Sequence, residues 1–126
     1  MPWTQFWDMH SGGGQKLDWA KIYIEAPERE AISVFYSRFG RNPNRVSCTC
    51  CGEDYSISES DTLEEATAYH RTFEYGPKNG TVLTIEEYFD QAVKKGRETA
   101  LAIYAKDITE NERHAYVPEE GYVWQG

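Results

Sequence analysis

Bulky and polar side chains alternate from Trp3 to Met9, and again where Ala20, Ile22 and Ile24 interleave with Lys21, Tyr23 and Glu25. This period-two pattern predicts two half-buried strands. Between them, Ser11-Gly12-Gly13-Gly14-Gln15-Lys16 has the composition of a flexible connection, so the pair reads as a hairpin. Tyr55-Ser56-Ile57-Ser58 reads as a further strand returning from a second hairpin, entered through Arg45-Val46-Ser47. Thr99 to Lys106 alternates once more, with Leu101, Ile103 and Ala105 on one face, and is expected in the centre of the sheet.

The remaining pattern is helical. Ala26-Pro27-Glu28 suits a helix start, because proline lacks a donor that would be unused there and acids favour the positive helix end. Ala31, Phe35 and Phe39 then recur along one face until Gly40 ends the run. Thr62-Leu63-Glu64-Glu65 and Thr84-Ile85-Glu86-Glu87 both match the capping box, which predicts helices over 63–73 and 85–95. The expected architecture is one α+β domain over residues 1–126, with a mainly antiparallel sheet of about five strands and three helices packed on it. The apolar end of the chain, Tyr122-Val123-Trp124, is expected to dock on the body.

With 126 residues the chain is long enough to bury one core. Its four Trp, nine Tyr and five Phe are the residues that repay chain entropy on burial, and they exclude a disordered segment. Thirteen basic residues against 21 acidic ones give a net charge of −8, which opposes adhesion to nucleic acid or an anionic membrane and favours basic proteins or metal ions. The apolar runs are far shorter than the roughly 20 residues a membrane span requires, and no signal peptide is legible. A cytoplasmic location is expected, and three cysteines fit reduced thiols or metal ligands better than a disulfide framework.

Those cysteines stand together in Cys48-Thr49-Cys50-Cys51-Gly52, whose C-x-x-C-G frame can present two thiolates to one metal ion. Zinc held by Cys48 and Cys51 needs further ligands, drawn from Cys50, His10, His70 or His114. The competing reading packs reduced cysteines as small apolar groups beside a turn. Glu53 and Asp54 disfavour the thiolate and argue against redox exchange. Gly12, Gly13, Gly14 and Lys16 can wrap a phosphate with backbone N–H groups and one cation, although Gln15 breaks any Walker A match. Glu53, Asp54, Glu59, Asp61, Glu64 and Glu65 form an acidic stretch that can face a basic protein or simply remain solvated. No catalytic triad, carboxylate dyad or complete metal motif is present, so the residues favour binding over catalysis.

The segments Trp3-Thr4-Gln5-Phe6-Trp7-Asp8-Met9-His10-Ser11-Gly12-Gly13-Gly14, Cys48 to Gly52 and Val117-Pro118-Glu119-Glu120-Gly121-Tyr122-Val123-Trp124 together resemble a family of small uncharacterised proteins of tailed bacteriophages. The resemblance runs over nearly the whole chain and implies an accessory protein made inside an infected bacterium. It carries no catalytic or binding residue. Three functions follow as expectations: a protein that modulates a host protein or host defence by binding it, a module that sequesters a nucleotide through the Gly-rich loop, and a small metal-dependent enzyme.

Overall fold

A computed structural model describes residues 1–8, 19–44, 55–74, 82–94 and 100–118 of the chain. It has α+β architecture, with the order β1 (Trp3–Asp8), β2 (Lys21–Ile24), α1 (Glu28–Phe39), β3 (Tyr55–Ser60), α2 (Leu63–Tyr69), a π turn (His70–Glu74), α3 (Ile85–Lys94), β4 (Ala100–Ile103), a 3-10 turn (Ala105–Asp107) and α4 (Glu110–Arg113). The four strands lie in the order β3-β1-β2-β4. β1 runs antiparallel to both β2 and β3, as its alternation and the expected hairpin require. β4 instead runs parallel to β2, from Lys21↔Ala100 to Ile24↔Ile103.

Two of the three strand pairings are antiparallel, as expected, and the β2–β4 pairing is parallel. Among the described residues the sheet has four strands, and the expected strand at Arg45–Ser47 lies outside them. One expectation is corrected here: among the described residues β4 is an outer strand, not a central one. Alternation reports which faces of a strand are covered, and it is silent about neighbour and direction. The strand is also reached through α3, a crossover long enough for a parallel pairing, whereas tight hairpins give antiparallel ones.

Each sheet face carries helices. On one face Phe6, Ile22, Ile24 and Ile103 pack with Ala31, Val34 and Phe35 of α1. On the other, Trp3, Tyr23 and Ala100 pack with Leu63 and Ala66 of α2, Leu83, and Tyr88 of α3. Lys21 and Tyr23 therefore do not sit on a solvated face, although they hold the polar positions in the alternation; they are 2% and 0% exposed. Helices on both faces make the domain a three-layer sandwich.

Helix boundaries follow the local chemistry. Gly40 adopts φ 68° and donates its N–H to Tyr36 O at 2.8 Å, the left-handed stop that glycine accepts without a Cβ penalty. Pro27 offers no side-chain cap, and the free N–H of Glu28 is taken by Glu59 Oε1 from β3 at 2.9 Å. Thr84 and Glu87 close the reciprocal box at α3, with bonds of 2.8 and 3.1 Å. At α2, Thr62 accepts from Glu65 N at 3.2 Å. A second complete box, Thr109 with Glu112, starts α4, the helix absent from the sequence expectation. Asn42 donates to Pro118 O at 3.0 Å, which ties the approach to the C-terminal segment onto the body, while residues 119–126 lie outside the described ones.

Candidate functional site

The outer edge of the sheet opens into two adjoining hollows that share Ile85 and Tyr104. The first, of about 320 Å³, has Ala100 and Ala102 of β4 on one side, Phe89 of α3 on the other, and Glu86 at its lip. Small alanines leave the space, and the first turns of α3, started by the Thr84 cap, supply its wall. The second hollow, of about 490 Å³, lies between Met1, Trp3 and Leu63 and is rimmed by Glu25, Asp61 and Glu64. Trp3 is buried and meets Tyr104 edge-on at 5.2 Å, so the aromatic wall between the hollows is fixed at its base and open at Tyr104, which is 40% exposed.

Acidic side chains dominate this groove. Glu25 is positioned by accepting from Ala105 N at 2.9 Å, which joins the end of β2 to the turn after β4. Asp61 and Glu64 enter from the start of α2, and Glu86 from the start of α3. Among the described residues no lysine or arginine lines either hollow. An apolar floor rimmed by several carboxylates attracts a cation and desolvates its carbon stem.

On the same sheet face, nearer the far ends of β1 and β2, lies a polar cluster under the π turn. Gln5 Nε2 stands 3.3 Å from both Tyr23 Oη and His70 Nε2, and Tyr23 Oη is 2.9 Å from Tyr88 Oη. Ser58 Oγ donates to Gln5 Oε1 at 3.5 Å. The Gln5 amide and the His70 ring are hydrogen-bond partners within this network. Trp7 meets this ring edge-on at 4.9 Å and Tyr88 stacks on it at 6.3 Å. Lys21 Nζ sits 5.7 Å over Trp7. His70 is 2% exposed and packs in the core.

His10, Gly12, Gly13, Gly14, Lys16, Cys48, Cys50 and Cys51 lie outside the described residues. The strands that flank them are adjacent: Asp8, the last residue of β1, is the register partner of Tyr55, the first of β3. His70 and His114 are described and stand apart in role, the former buried and the latter exposed with Nε2 3.3 Å from Glu110 Oε2. Among the described residues no group of three or more His, Cys, Asp or Glu could hold a metal ion. The acidic stretch divides: Glu59 caps α1, Asp61 and Glu64 rim the groove, and Glu53 and Asp54 lie outside the described residues.

Sequence reasoning missed Glu25, Glu86 and Tyr104 as site residues. Their signal was faint. Each ends or begins an element, and only the parallel placement of β4 brings them to one edge. No helix among the described residues is long and apolar enough to cross a membrane. No protein-family model, curated protein or solved structure matches the chain.

Proposed function

We propose that this chain is a small phage-type accessory protein that works in the host cytoplasm by binding a host protein and modulating or inhibiting it. The observation that supports this reading is the acid-rimmed, apolar-floored groove along the outer edge of the sheet, built from five separate parts of the chain. Such a site suits a protein segment that offers basic and apolar side chains together. The excess of acidic residues over the whole chain adds a long-range attraction for the same class of partner.

Nucleotide capture and a zinc-dependent activity rest on residues 10–16 and 48–51, and the groove lends them no support. Affinity capture of the tagged protein from infected cells, set beside the Asp61→Lys/Glu64→Lys variant, tests the binding reading. One host protein retained by the wild type, lost with the variant and released as salt rises is the expected result, because exposed charges are screened over about 8 Å at physiological ionic strength. An identical set of retained proteins for both chains would count against the groove.

A further inference from the structure

The outer edge of β4 adds backbone chemistry to this groove. Glu25 N donates to Ile103 O at 2.9 Å, which turns the polar groups of Ile103 toward the β2 side. Successive residues of a strand direct their N–H and C=O to opposite sides, so those of Ala102 point outward, away from β2. Among the described residues β4 is the last strand on this side of the sheet, and its outward backbone lies beside the hollow bounded by Phe89 and Glu86. An outer strand of this kind is a template for another chain.

We propose that the partner binds as an extended segment added to the edge of β4, pairing with the Ala102 backbone and placing a lysine or arginine among Glu25, Asp61 and Glu64. This rests on the binding function proposed above and specifies its occupant. Three features converge on it. The edge supplies sequence-independent hydrogen bonds, Ile85 and Phe89 supply an apolar wall for alternate side chains, and the carboxylates select a cation. Tyr104, half open between the two hollows, offers its ring face to the same cation. An acidic extended segment would meet the same edge against like charge.

The test uses a short synthetic peptide of alternating valine and arginine, with an alternating valine and glutamate peptide as its counterpart. The cationic peptide is expected to bind and the anionic one not to, by calorimetry. Amide exchange at Ala102, followed by NMR, should slow when the cationic peptide is added. Ala102→Pro removes an outward N–H, a change an outer strand tolerates. It should weaken binding by about fivefold, the loss expected from one backbone hydrogen bond. Asp61→Lys/Glu64→Lys should weaken it as well. Binding that answers to the charge reversal but leaves Ala102 exchange unchanged would overturn strand addition and keep the groove. Absence of binding, or binding indifferent to the charge reversal, would overturn both. The exchange measurement on the wild-type chain decides the matter even if Ala102→Pro fails to fold.

Discussion

The two faces of the sheet are held in different ways. Beneath α1, Phe35 sits with Phe6, Phe39 and Tyr55 at centroid distances of 4.7 to 5.1 Å, aliphatic side chains fill much of the remainder, and Thr4 Oγ1 donates to Ala26 O at 2.9 Å. Beneath α2, the π turn and α3, the centre is a chain of directional bonds through Ser58, Gln5, Tyr23, Tyr88 and His70. The first face is held by close packing, which any apolar residue of similar volume partly preserves. The second depends on partners at fixed positions, and its groups are costly to bury without them. It is also the face that borders the groove, at the ends of α2 and α3. The apolar face thus anchors the fold, while the polar face both closes the core and sets the walls of the site.

Substitutions should separate the two faces. Phe35→Ala, at the centre of the aromatic cluster, is expected to cost about 3–5 kcal/mol in urea unfolding. That is a large share of the 5–15 kcal/mol typical of a domain. On the polar face, Tyr88→Phe removes the 2.9 Å bond to Tyr23 and should cost about 1–2 kcal/mol. The double change of Tyr23 and Tyr88 to Phe should cost less than the sum of the single changes, since their hydroxyls serve each other. Additive costs would show that the pair is not a unit.

Smaller effects belong to the rim of the apolar face, where α4 packs on α1. Thr109→Ala breaks the capping box and should cost about 1 kcal/mol. Acid should loosen this contact further. The hydrogen bond from Arg38 holds the Glu112 carboxyl below its usual range, so its stabilisation is complete above the unfolded-state value and is lost as pH falls through the lowered one. Arg38→Gln should flatten that acid dependence in thermal melts. An unchanged acid limb would show that the pair adds nothing to stability.

Local elements were largely legible in the sequence; their assembly was not. The alternation in Trp3–Asp8, the Gly40 stop and the Thr62 and Thr84 caps each act within a few residues, and each stands where the pattern places it. The sequence Thr109-Glu110-Asn111-Glu112 carries the same capping signal, but the four-residue helix it starts is too short to add a periodic apolar face beside it. Lys21 and Tyr23 misled because a polar position in a strand looks solvated until a second layer covers it. The groove was illegible for a related reason. Its acids come from three separate parts of the chain, and only the parallel register of β4 joins them to Ala102 and Tyr104.

The binding role proposed for the groove is tested most directly by placing a photo-reactive amino acid at Glu86 in one variant and at Arg29, on exposed α1, in another, both expressed in bacterial cells. Cross-linking from position 86 to one protein of the cell, through a peptide that carries lysine or arginine, with position 29 silent, is the expected result. A partner captured from position 29 and not from position 86 would place the interaction on the other side of the molecule and contradict the groove.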